Sequence, residues 1–222
     1  NPSEIAFAQS CFPDCPTYTH IYHKFGLLNS RAIMAHCVHM SESEISLMRD
    51  SNAAVSHCPS SNFSLGSGIA DIRRFIDEGI PVGLGTDVGG GYTPSILDAM
   101  RMAAAANRAL IAFRRDSAAA PATADVPLDA AEVLFLATQG GAQVMGMASE
   151  LGSLDAGKLF DAVVVDLAAP NSPVPPVEAT PAVRDSQNID DAWRLRIEQF
   201  VFLADDRNIS RVYVAGNLIH AA

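Results

Sequence analysis

Three apolar runs in this sequence each end on one ionisable side chain. RAIMAH (31–36) ends on His36, AAVSH (53–57) on His57, and IPVGLGT (80–86) is followed by Asp87. A carboxylate at the end of a buried strand can hold a metal and accept a proton from the water it activates. Two imidazoles and a carboxylate at corresponding points of three consecutive segments make a polar active site. The competing readings are a hydrogen-bonded core histidine at each His and a helix cap at Asp87. Thr93-Pro94 offers its own cap and first-turn proline, which leaves Asp87 without a capping task.

The glycines after Asp87 raise a second chemistry, phosphate binding. A dinucleotide fingerprint starting at Gly83 would need its third glycine at position 88, which is Val88, and no Gly-Lys-Ser/Thr follows. The glycines are therefore expected to let the backbone turn tightly past something in the site. His39 is a weaker candidate just beyond its strand; His20, His23 and His220 read as surface residues. A catalytic zinc takes about three protein ligands and an open position. No His-x-His and no His-x-x-Glu occurs here, so Asp87 is one ligand of an incomplete set. Cys11, Cys15, Cys37 and Cys58 include no second closely spaced pair, and read as reduced thiols rather than a zinc site.

The elements that must hold these residues follow from capping and periodicity. Ser41 and Glu44 form a capping box, and a helix continues through Ile45, Leu47 and Met48. DIRRFIDE (71–78) is a helix ended by Gly79, residues 94–115 form a long alanine-rich helix, and Asp129 with Glu132 caps a helix running on toward Met147. Short buried strands alternating with helices predict parallel βα units. The three polar residues then share the C-terminal strand ends, where such folds place their sites. The expected fold class is α/β, with residues 1–150 as a barrel-like part and 151–222 as a small β-rich piece. That piece holds a strand at 161–167, a Pro-rich loop at 169–183, a helix at about 190–203, and a hairpin turning at Gly216-Asn217. Residues 117–127 read as an exposed loop inside the first part.

Composition sets limits. With 222 residues, 49% hydrophobic and 18% charged, the chain has globular composition. The net charge of −10 and the scattered Lys and Arg exclude a nucleic-acid groove, which needs a basic stripe. No run of 18 apolar residues spans a membrane, and the N-terminus carries no signal peptide. The missing initiator Met is read as a chain that begins inside a longer protein.

Several stretches resemble the amidohydrolase superfamily and, within it, the guanine deaminase family. They are MAHCVHMSESE (34–44), SHCPSSNFSLGSG (56–68), GLGTDVGGGYTPSILDAMR (83–101), LATQGGAQVMGM (136–147), LGSLDAGKLFDAVVVD (151–166) and FLADDRNISRVYVAGN (202–217). GLGTD and the Gly-Lys-x-x-Asp-Ala stretch are superfamily-wide, whereas GTDVGGGY and ADDRNI point to guanine deaminases. The resemblance implies the C-terminal part of a TIM-type (β/α)8 metal-dependent hydrolase barrel plus the C-terminal piece of a composite β-sandwich. It implies Zn2+-dependent deamination of guanine to xanthine and ammonia in purine metabolism, in a cytoplasmic homodimer. Asp87 would be zinc ligand, proton acceptor and substrate contact, His36 would orient or polarise the attacking water, and His57 and Asn62 would line the substrate site. The remaining zinc ligands are expected upstream of residue 1. Two alternatives stay open: a deaminase or chlorohydrolase of another amino-heterocycle, and a non-catalytic scaffold piece that needs the missing half.

Overall fold

The computed structural model describes residues 1–116, 125–176 and 189–221. Most of the expected loop at 117–127 and the later part of the Pro-rich loop at 169–183 lie outside the described residues.

Two helices open the chain, α1 (Pro2–Cys11) and α2 (Tyr18–Lys24). Neither was expected from the sequence, and α1 buries no residue, so no apolar stripe marks it. Then come β1 (Ile33–Ala35), α3 (Glu42–Asp50), β2 (Ala54–His57), α4 (Pro59–Ser64), α5 (Ile72–Asp77) and β3 (Val82–Leu84). The strands form a parallel sheet in the order β1-β2-β3, as the alternation of strands and helices predicts. Met34 lies level with Val55, and Val55 with Val82. That row packs into one core with Ile45 and Met48 of α3 and Ile72 and Phe75 of α5. The Ser41–Glu44 capping box is present at α3, and Asp71 caps α5.

Helix α6 (Ile96–Asp116) covers the same core with Met100, Ala103 and Ala104. Its cap is Ser95 rather than the expected Thr93: the Ser95 hydroxyl accepts from the Asp98 N–H at 3.2 Å. Thr93 lies outside the helix, accepting from the Ser95 N–H and donating to the Asp98 carboxylate. Beyond the Asp129–Glu132 capping box, the single helix expected toward Met147 is two helices, α7 (Ala130–Ala137) and α8 (Gln139–Val144). The chain breaks at Thr138 (φ −120, ψ −89) because α8 presses its backbone onto β3. A Cβ on Gly140 would stand 2.7 Å from the Val82 carbonyl, and one on Gly83 3.1 Å from the Gly141 Cα.

The last part forms a second sheet, antiparallel, of β4 (Ala162–Val165), β5 (Ile209–Val214) and β6 (Asn217–Ala221). Its hairpin turns one residue earlier than expected, on Ala215 (φ 48) and Gly216 (φ 79), both in the left-handed conformation of a tight hairpin turn. Between β4 and β5 the chain returns through α9 (Ile189–Leu203), which packs on α6 and α7 and buries Val201 in the main core. Arg101 of α6 secures this return by donating to the Val201 carbonyl at 2.7 Å and to the Ala204 carbonyl. No helix among the described residues is long and apolar enough to cross a membrane.

Candidate active site at the C-terminal strand ends

His36 follows β1 directly. The chain turns there through two left-handed residues, His36 (φ 68) and Cys37 (φ 46), while the His36 N–H stays tied to the Ser56 carbonyl of β2 at 3.0 Å. The imidazole is thus held over the end of the sheet instead of continuing the strand direction. Asp87 follows β3 and is also left-handed (φ 46), a conformation that His and Asp tolerate better than most side chains. Its Oδ2 lies 3.7 Å from Nε2 of His36, with both side chains partly open to solvent. No hydrogen bond to the Asp87 carboxylate occurs among the described residues.

The glycines after Asp87 make a close approach. The N–H groups of Gly90 and Gly91 turn back onto the Asp87 carbonyl at 3.0 and 2.6 Å. A Cβ on Gly90 would lie 2.7 Å from Asp87 Oδ2 and 2.8 Å from the Ser61 hydroxyl oxygen. One on Gly91 would meet the Thr86 carbonyl at 2.4 Å and the Ser60 hydroxyl oxygen at 2.7 Å. Positions 90 and 91 can therefore lie against α4 only without side chains, which is the tight passage expected from the sequence.

Strand β2 ends on His57, and α4 begins two residues later with Pro59 in its first turn. This short helix carries Asn62 beside His36, with Oδ1 of Asn62 2.9 Å from Nδ1 of His36. Asn62 is only 2% exposed. His57 is 1% exposed, and neither ring nitrogen has a hydrogen-bond partner among the described residues. Burial, reinforced by nearby His36, depresses its pKa to about 3, so the ring is neutral at neutral pH. The Ser61 hydroxyl and the Asn62 amide nitrogen are likewise buried without partners. Sequence reasoning passed over Ser61, whose only signal is its place between Pro59 and Asn62.

His39 lies apart from this group, with its Nε2 2.8 Å from the Ser67 carbonyl oxygen, and His20 bonds Thr17. A cavity of about 560 Å³ opens beside His36, lined by Tyr18, Tyr22, Met34, Cys37 and Glu44 among others. Glu44 is a structural carboxylate. Burial pushes its pKa up, but hydrogen bonds from Ser41 and Thr19 outweigh this and hold it below its ordinary value. Burial pushes the Cys37 thiol up to about 12 and raises Cys58 as well, so both stay protonated. The four cysteines are free thiols.

The donor set can be tested against a catalytic zinc. Asp87 suits one ligand position, being a partly open carboxylate not committed to another bond. Among the described residues no group of three or more His, Cys, Asp or Glu is placed to hold a metal ion. The residues present therefore fit part of such a centre, not all of it.

Known proteins resemble this chain over nearly its whole length. The probable guanine deaminase of Schizosaccharomyces pombe is 41% identical over 219 residues, covering 99% of this chain and 38% of its own length. Guanine deaminase of Dictyostelium discoideum is 38% identical over 219 residues, covering 99% and 44%. Among solved structures, guanine deaminase from C. acetobutylicum with guanine bound in its active site superposes with a TM-score of 0.79 at 32% identity, covering 99% of this chain and 46% of that one. The chain thus spans less than half the length of these relatives. The pattern described as the Amidohydrolase family matches residues 3–219, nearly end to end, and the chain belongs to that family.

Proposed function

We propose that this chain is the C-terminal part of a guanine deaminase, converting guanine and water to xanthine and ammonia. The observation that carries the proposal is the His36–Asp87 pair, 3.7 Å apart at the C-terminal ends of parallel strands. On this reading residues 1–150 belong to a TIM-type (β/α)8 barrel and 151–222 to a composite β-sandwich. The whole protein is a cytoplasmic homodimer of purine metabolism, by family analogy.

Asp87 would hold a Zn2+ ion together with ligands from outside residues 1–222. When bound, the metal supplies a Lewis acid that lowers the pKa of water. The Asp87 carboxylate accepts a proton from the water that attacks C2 of guanine, and delivers it to the exocyclic nitrogen, so that ammonia leaves. The second proton of the water ends on ring nitrogen N3, carried there by a group from outside residues 1–222. His36 Nε2, facing the same carboxylate, orients that water. His57 lies buried at the floor of the site, and Asn62 bears on it through its contact with His36.

The test is Asp87→Asn in the whole protein, assayed for ammonia release from guanine and from a panel of other amino-heterocycles. Loss of a proton acceptor is expected to lower turnover by at least about 10²-fold. Retention of more than a few per cent of the activity would sink the assignment. Faster turnover of another heterocycle by the unaltered protein would move the substrate but keep the chemistry.

A further inference from the structure

Asn62 is placed to act on His36 rather than on substrate. Its side chain is 2% exposed, and its oxygen is 2.9 Å from Nδ1 of His36. An amide oxygen can only accept, so this contact requires the proton on Nδ1 and leaves the lone pair on Nε2. Nε2 is the nitrogen that faces Asp87 across 3.7 Å, on the open side of the site. The connection spans 26 residues of sequence, from the left-handed turn after β1 to the second turn of α4. Helix α4 is itself anchored, because α6 packs against it and the Ser60 hydroxyl donates to the Thr86 carbonyl at 3.3 Å. The element that holds Asn62 therefore also touches the strand end that carries Asp87.

We propose that Asn62 is a positioning residue that fixes the Nδ1–H tautomer and the ring orientation of His36, keeping Nε2 free to accept a hydrogen bond. This refines the deaminase reading and rests on it for the role of His36. Hydrogen-bond partners behind a working imidazole set its tautomer and basicity, and losing one typically costs about 10–100-fold in activity.

The test uses the whole zinc-loaded protein, 15N-labelled at histidine, and its Asn62→Leu and Asn62→Asp variants. In the unaltered protein the His36 ring should give an Nδ1–H signal and an unprotonated Nε2. Asn62→Leu should mix the tautomers and lower kcat about 10–100-fold while KM for guanine stays within about twofold. Asn62→Asp, which still accepts from Nδ1–H, should restore the Nδ1–H signal and part of kcat. An Nε2–H ring in the unaltered protein would overturn the proposal, as would Asn62→Leu raising KM at unchanged kcat, the mark of direct substrate binding. The tautomer measurement needs no substrate and no stable Asn62→Leu variant. An unaltered protein that keeps Nδ1–H yet leaves guanine untouched would refute the deaminase reading alone.

Discussion

His57 carries a cost that depends on pH. In the folded protein its pKa is about 3, against an ordinary value near 6.5, because burial disfavours the charged ring. Between those pH values the unfolded chain binds a proton that the native state refuses. Stability from this residue is therefore complete above pH 6.5 and is lost as pH falls toward 3, by about 1.4 kcal/mol per unit at most. Replacing His57 with Leu is expected to flatten this acid limb in urea unfolding of the whole protein at pH 7 and pH 4.5. An unchanged difference between the two midpoints would show that the ring is not the source. His36, His57 and Asp87 were legible in the sequence as polar ends of apolar runs. The link from His36 to Asn62 was not, because it joins residues 26 positions apart through left-handed turns that no local pattern marks.

Close backbone approach governs the elements around the site. Gly90→Ala would set a methyl 2.7 Å from the Asp87 carboxylate and 2.8 Å from the Ser61 hydroxyl oxygen. Turnover is expected to fall at least about tenfold, the carboxylate being displaced by a fraction of an ångström or more. Because Gly90 sits in a loop, the melting temperature should move little, and equal losses in both readouts would contradict that assignment. Gly140→Ala is the opposite case. Its methyl would meet the Val82 carbonyl, a backbone atom that cannot swing away, and overpacking is expected to cost about 1–3 kcal/mol of stability in chemical denaturation. Ser95→Ala should cost about 1 kcal/mol through the lost cap, and Thr93→Ala less. Periodicity and capping located the three parallel strands and the capping boxes of α3 and α7. They could not foresee the break at Thr138, since what divides α7 from α8 is contact with β3, some 55 residues earlier in the chain.

At the scale of the molecule, the two sheets are both unfinished. The parallel sheet ends on β1, where Ile33 is exposed, and the antiparallel sheet exposes Val163, Val164, Val214 and Leu218. Unpaired edges and bare apolar surface invite association. Residues 1–222 produced alone are expected to hold less than one zinc per chain and to release no ammonia from guanine, and the whole protein is expected to hold one zinc and to release ammonia. Metal analysis giving one zinc per isolated chain would contradict the shared-site reading. Composition and the alternation of elements revealed the α/β class. The return of α9 to α6 and α7 escaped a division at residue 150, because its anchors lie 100 residues back in the sequence. That return also has a timetable. Arg101 and the seat for Val201 are made long before the carbonyls and side chain that fill them. At ribosomal speeds of about 5–20 residues per second, the nascent core stands open for roughly 5–20 s, an interval in which chaperones can find it.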